Sequence, residues 1–163
     1  MERSNTVGRN GQGLSPRADF LLADRTGYLL NKAAMLIAED AERALETVGM
    51  RLRYFFVLTS LAGGPELSQQ DLARLLNLDP TTVVALVDEM ERNQHVERRR
   101  NPADRRRYTL VLTESGRTAL SAAEQVVTDA EAAFFGPLTG AERAGMQDML
   151  IRLLEGRWPS SVC

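Results

Sequence analysis

The 163-residue chain has one cysteine, one histidine and one lysine. Each scarcity closes off a class of chemistry. Cys163 alone can form no disulfide within the chain and no paired redox switch, which disfavours a peroxide sensor. With a single histidine (His95), no glycine-rich phosphate loop, no metal-ligand spacing and carboxylates spread over helix surfaces, the chain does not read as an enzyme. No cofactor and no metal are expected. No apolar run approaches the ~20 residues that span a bilayer. The opening Met1-Glu2-Arg3-Ser4-Asn5 lacks the apolar core of a signal peptide. No membrane partner is expected, and a cytoplasmic location is. Lys32 stands against nineteen arginines, so the positive charge is almost all guanidinium.

The length suits one domain, or one lobe plus dimerising helices, and the apolar fraction of 44% is enough for a core. The formal net charge is only −2, but it is unevenly placed. Residues 97–107 hold six arginines against Glu97 and Asp104, which leaves that segment at +4 and the rest of the chain at −6. A local concentration of this kind points to a local anionic partner. The six arginines flank the turn residues Asn101-Pro102-Ala103-Asp104, with Val96 before and Tyr108-Thr109-Leu110-Val111-Leu112 after reading as strands. An arginine-tipped hairpin suits the phosphate backbone and narrow groove of DNA. A solvated arginine loop is the alternative for the segment taken alone.

Along the chain, residues 1–16 are polar and read as a tail. Apolar residues at three- and four-residue steps predict a helix over 19–48, bent at Gly27 and ended by Gly49. A short apolar helix follows over 53–62, closed by Gly63-Gly64-Pro65. Ser68 with Asp71 reads as a capping box for a third helix, buried through Leu72, Leu75 and Leu76. Asn77-Leu78 makes a turn. Asp79 caps a fourth helix with Pro80 at its first position, and Val83, Leu86, Val87 and Met90 form its buried stripe. After the hairpin, Thr113 caps a helix to about Phe135, Gly136-Pro137 breaks it, and Thr139 with Glu142 caps a last helix over about 141–155.

Two short helices with helix-turn-helix spacing followed by a basic hairpin read as a winged helix-turn-helix. The series Ser68-Gln69-Gln70-Asp71-Leu72-Ala73, Leu78-Asp79-Pro80-Thr81-Thr82-Val83, Leu86-Val87-Asp88-Glu89-Met90-Glu91-Arg92, Val96-Glu97-Arg98-Arg99, Asp104-Arg105-Arg106 and Leu110-Val111-Leu112-Thr113-Glu114-Ser115-Gly116 resembles the MarR family of bacterial winged-helix transcription regulators. The likeness runs from about residue 20 to 155, and its specific part is 67–120. The resemblance implies a mainly α fold with a small β-hairpin wing, a winged helix-turn-helix plus N- and C-terminal dimerisation helices. It implies a homodimer whose subunits each place a recognition helix in a major groove and a wing over the adjacent minor groove. It also implies a regulator, usually a repressor, that releases double-stranded DNA on binding a small-molecule effector. The corresponding divisions are a tail (1–16), a dimerisation helix (17–50), a DNA-binding lobe (51–112) and dimerisation helices (113–163). Half-sites about 34–36 Å apart, one DNA turn, suit such a dimer.

The residues expected to face DNA are Ser68, Thr81, Thr82, Val84, Ala85, Arg98, Arg100, Asp104, Arg105, Arg106 and Arg107. Thr81 and Thr82 sit at a helix N-terminus, where their hydroxyls either meet a phosphate or base edge or cap the helix locally. Val84 and Ala85 can touch thymine methyls. The resemblance makes Asp104 the brace of the hairpin and Arg106 its minor-groove arm. Strand alternation keeps all six arginines from facing DNA together, so some pair internally. Two departures stand out. Relatives often carry Ser or Thr at the position of Val84 and a basic residue at that of Ala85. They often carry Gly-Leu where this chain has Gln94-His95, and Asn93 is expected to take the left-handed cap in place of the glycine. His95 reads as a core-edge or surface residue.

The family's aromatic or phenolic effectors tend to bind between dimer lobe and DNA lobe. Tyr28, Arg51, Arg53, Tyr54 and Phe55 are the candidates here, as aromatic walls and a carboxylate partner. The other reading of Tyr54-Phe55-Phe56 is core. A second function remains open at this level: a winged helix that docks an acidic protein without specific DNA binding.

Overall fold

In the computed structural model, residues 22–64, 66–100 and 108–157 are described. The tail read over 1–16, the turn 101–104 with Asp104, the arginines Arg105, Arg106 and Arg107, and Cys163 lie outside them. Six helices and one hairpin follow in the order α1 (Thr26–Glu46), α2 (Leu52–Ala62), α3 (Gln69–Leu75), α4 (Pro80–Arg92), β1 (Val96–Arg100), β2 (Tyr108–Leu112), α5 (Glu114–Phe134) and α6 (Gly140–Leu154). The fold is mainly α with a two-stranded wing. The chain divides into two compact units, residues 1–36 and 37–163, and the boundary falls within α1. Among the described residues no helix is long and apolar enough to cross a membrane.

The helix starts follow from local chemistry. Ser68 and Asp71 form the capping box of α3, Asp79 caps α4 with Pro80 at its first position, Thr113 caps α5, and Thr139 with Glu142 caps α6. The hydrogen bonds from the Thr139 backbone and hydroxyl hold the Glu142 carboxyl below its ordinary pKa. One start differs from expectation. Helix α1 begins at Thr26, because the Arg25 N–H bonds Leu22 O across a single turn at 3.0 Å. An apolar repeat running back to Phe20 does not by itself close a first helical turn. Gly27 therefore lies in the first turn of α1 and bends nothing.

Three segments end in the same backbone device. After α1, α3 and α4, a residue with positive φ lets two N–H groups turn back onto the last turn. These residues are Gly49 (φ 68°), Asn77 (φ 49°) and Gln94 (φ 60°). At the third, Gln94 N bonds Glu91 O and His95 N bonds Met90 O, both at 2.9 Å. The expected left-handed Asn93 is corrected here: it is the right-handed cap (φ −81°), and the left-handed residue is one step later. Because the Asn93 N–H still bonds Glu89 O at 3.0 Å, the left-handed geometry falls on Gln94.

The core lies in the second unit. Leu45, Val57, Leu58, Leu72, Val83, Val87 and Met90 are fully buried, and Leu110, Leu112, Leu120 and Ala123 close over them. The hairpin is antiparallel, in register Val96↔Leu112 through Arg100↔Tyr108, and Leu110 N also bonds Leu67 O at 2.8 Å. Helix α5 is locked to the end of α4. Thr113 N bonds His95 O at 3.0 Å, and the Thr113 hydroxyl donates to Gln94 O at 2.6 Å while accepting from Gly116 N at 3.0 Å. A Cβ at Gly116 would stand 2.1 Å from His95 O. That clash is with backbone, so Gly116→Ala is expected to cost about 1–3 kcal/mol of stability, as overpacking does. Thermal denaturation checks it: a melting temperature lowered by roughly 2–4 °C per kcal/mol is expected, and an unchanged one contradicts the close approach.

Candidate nucleic-acid interface

Helix α4 has two unlike faces. Val83, Leu86, Val87 and Met90 are buried, and on the opposite side Thr81, Val84 and Ala85 are exposed. The Asp79 carboxylate accepts from Thr82 N at 2.9 Å and from the Thr82 hydroxyl at 3.3 Å, so Thr82 serves the cap. Thr81 is exposed, and no hydrogen bond engages its hydroxyl among the described residues. Ser68, also expected at the interface, is 9% exposed. Its hydroxyl donates to Asp71 Oδ2 at 2.6 Å and accepts from Asp71 N, so it is turned into its own capping box and holds α3 instead of facing outwards.

The same helix carries Asp88, Glu89 and Glu91, three charges that would repel a phosphate backbone. All three are answered from elsewhere in the chain. Arg98 on β1 bonds Asp88 Oδ1 at 2.6 Å and pairs with Glu91 through its second terminal nitrogen, and its backbone N–H reaches Glu91 Oε1 at 3.1 Å. Arg51, at the start of α2, pairs with Glu89. Arg98 was expected at DNA; its place against α4, with its side chain only 24% exposed, makes it a brace between wing and helix. The alternation of β1 is the reason: Val96 and Arg98 face inwards, while Arg99 pairs with Glu97 across the other face. Arg100, at the strand end, is exposed with no ion pair among the described residues. Sequence reasoning could not sort these arginines, because the sorting depends on which carboxylates α4 brings within reach.

Two cavities lie beside this helix. The larger, about 500 Å³ and open, is lined by Glu42, Arg51, Arg53, Thr82, Ala85 and Glu89, among others. The smaller, about 120 Å³, takes in Arg51, Tyr54, Glu89, Asn93 and His95. Arg51 and Glu89 line both. Glu42 accepts from Leu52 N at 2.8 Å and so closes the start of α2. Tyr54 Oη lies 2.7 Å from His95 Nδ1 and accepts from Asn93 Nδ2 at 3.4 Å. Burial pushes the Tyr54 phenol above its ordinary pKa, against the opposing hydrogen bond from Asn93. Of the five candidate effector residues, Arg51, Arg53 and Tyr54 line these cavities. Phe55 does not: it belongs to the core, where its neighbours Val57 and Leu58 are fully buried. Tyr28 is half buried on the first turn of α1, in the other unit. Glu89, Asn93 and His95 were not anticipated as cavity residues. The legible signal was that Glu89 and Asn93 are one helical turn apart and His95 is the sole histidine.

Comparison with known proteins agrees with this geometry. Residues 48–107 match the sequence profile of the MarR family. A putative transcriptional regulatory protein for the hcr operon of Thauera aromatica is 31% identical over 133 residues, covering 81% of this chain and 80% of the relative. The structure of CouR from Rhodococcus jostii RHA1 bound to p-coumaroyl-CoA superposes with a TM-score of 0.74 at 30% identity, covering 87% of this chain and 98% of that one. CouR, a transcriptional repressor, bound to a 23-mer DNA duplex gives 0.74 at 29% identity, covering 81% and 94%.

Two outcomes follow from the geometry. Arg98→Gln is expected to weaken DNA binding with little change in its salt dependence, since Arg98 spends its charge on Asp88 and Glu91. Arg100→Gln is expected to lower the slope of log affinity against log salt by about one unit. Titrations at several salt concentrations separate the two, and a slope lowered by Arg98→Gln would return Arg98 to the phosphates. For Tyr54, the raised folded pKa means its share of stability is complete below the unfolded value near 10 and is lost as pH rises through the folded one. The urea midpoint of wild type should therefore exceed that of Tyr54→Phe by a margin that shrinks above pH ~10. A constant margin from pH 8 to 11 would contradict the burial of the phenol.

Proposed function

The chain belongs to the MarR family, and from that premise we propose that it is a sequence-specific, homodimeric repressor that binds a pseudo-palindromic operator and is released by a small-molecule effector. Its relatives are transcription regulators, which supports a regulatory reading over a catalytic one. The observation that carries the reading is the outward stripe of α4, exposed beside an arginine-bearing wing strand, with each of its carboxylates neutralised by an arginine of the same chain.

In this reading residues 51–112 are the DNA-binding lobe, and 17–50 and 113–163 supply the dimerisation helices. The exposed apolar side chains of α6 support a partner there: Met149, Ile151 and Leu153 are each more than half exposed. On α1, Leu29, Leu30 and Met35 are likewise exposed. On α6, Met149, Ile151, Leu153 and Leu154 go round the helix instead of sharing one side, and a helix apolar on all sides calls for cover. Arg106, by family resemblance, is the arm that enters the minor groove, and Arg105, Arg107 and Asp104, its neighbours in sequence, belong to the same wing. Effector release draws on the two cavities beside α4, where Arg51 and Arg53 can meet an anionic group and Tyr54 an aromatic one. CouR, with both a DNA complex and a p-coumaroyl-CoA complex, supports a single fold serving both partners.

The test is fluorescence anisotropy with the DNA upstream of the chain's own gene and with random DNA, at two salt concentrations, for wild type and Arg106→Ala. Tight, salt-dependent binding of the upstream DNA is expected, weakened by the substitution. Equal and weak binding of both DNAs, unchanged by Arg106→Ala, would overturn the reading. A monomer in size-exclusion chromatography would remove the dimer from it.

A further inference from the structure

We propose that α4 reads its half-sites through thymine methyl groups, with Val84 and Ala85 as the contacting residues. The inference rests on the DNA-binding reading above and specifies what the helix recognises. Thr81, Val84, Ala85 and Asp88 are spaced i, i+3, i+4 and i+7, so they line one side of α4, opposite the buried stripe. Val84 is 44% exposed, although Val83 before it and Leu86 after it are buried.

The choice of base follows by elimination over what this face can offer. Guanine is read in the major groove by a bidentate Arg or Lys, and adenine by a bidentate Asn or Gln. The sequence of α4, PTTVVALVDEMER, holds none of these before Arg92, its last residue. Cytosine presents an amino donor that a carboxylate can accept. The carboxylates nearest the stripe are already committed, Asp88 to Arg98 and Glu89 to Arg51. What remains on the DNA side is the C5-methyl of thymine, the one major-groove mark read by apolar contact. What remains on the protein side is a strip of methyls, two from Val84 and one from Ala85, framed by two closed ion pairs. Those ion pairs keep charge off the strip, so it can dehydrate against a base edge. The Thr81 hydroxyl lies at the end of the strip, nearest the helix N-terminus.

The experiment starts from duplexes that the full chain itself selects from a random pool. Each thymine of the selected site is then replaced singly by uracil, which removes the C5-methyl and leaves the pairing edge unchanged. At one or two adjacent positions per half-site, wild type should lose affinity about fourfold per methyl, the equivalent of exposing one carbon-sized apolar group. Uracil elsewhere in the duplex should have no effect. Val84→Ala, an exposed substitution, should abolish the thymine–uracil difference at one of those positions while circular dichroism shows the fold unchanged. A selected site whose affinity is indifferent to uracil at every position overturns the methyl readout and leaves the DNA reading standing. A chain that selects no sequence overturns both.

Discussion

A helix that carries Asp88, Glu89 and Glu91 can approach a polyanion only if those charges are met from its own chain. Arg98 meets two of them from the wing and Arg51 meets the third from α2. These pairs are partly exposed, so each is worth little as stability. Their value is positional. They orient α4 on both flanks, fix β1 against it, and turn an acidic segment into one whose outer strip is neutral. The arrangement also sorts the charge of a chain whose net charge is only −2: Arg98 is committed to bracing, while Arg100 at the strand end stays exposed with no ion pair among the described residues.

The far end of α4 is held by a different means. The turn at Gln94 returns two N–H groups to the last helical turn, and the next residue, His95, engages three elements at once. Its N–H bonds α4, its carbonyl accepts from the start of α5, and its ring meets Tyr54 of α2. Gly116 is needed because a carbonyl occupies the space where its side chain would be. Displacement of α4 would therefore strain α2 and α5 together. The two cavities lie along the same helix and share the Arg51–Glu89 pair, so whatever fills them acts on a residue that α4 itself carries.

Much of this was legible in the sequence because it is local. Caps are written within three or four residues, which is why Ser68 with Asp71, Asp79 with Pro80, Thr113, and Thr139 with Glu142 mark helix starts where the structure has them. The strand residues Tyr108–Leu112 and the stripe Val83, Leu86, Val87, Met90 are equally local. The start of α1 is not legible because apolar spacing extends N-terminally past the point where helical hydrogen bonding begins. Side-chain preference points to Asn93 as the left-handed residue, whereas the end of the hydrogen-bond ladder puts it at Gln94. The site was less legible than the fold. Arg98 and Arg100 look alike in sequence, and only tertiary placement gives one to Asp88 and Glu91 and leaves the other at the surface. Tyr54 and His95 are 41 residues apart, and no periodicity connects them.

Helix α6 differs in kind from the others. No side chain along it is buried, and its order rests on the Thr139–Glu142 capping box, the Arg143–Glu131 pair to α5 and the i,i+4 pair Asp148–Arg152. It also includes Gly140 and Gly145, both poor helix formers. Fifteen residues with so little support make a marginal helix in water. Its helicity is therefore conditional on being covered. In a chain diluted until it stands alone, the α6 amides would exchange with solvent long before those of α4, and amide exchange along this one helix would count the fraction of chains whose α6 is covered.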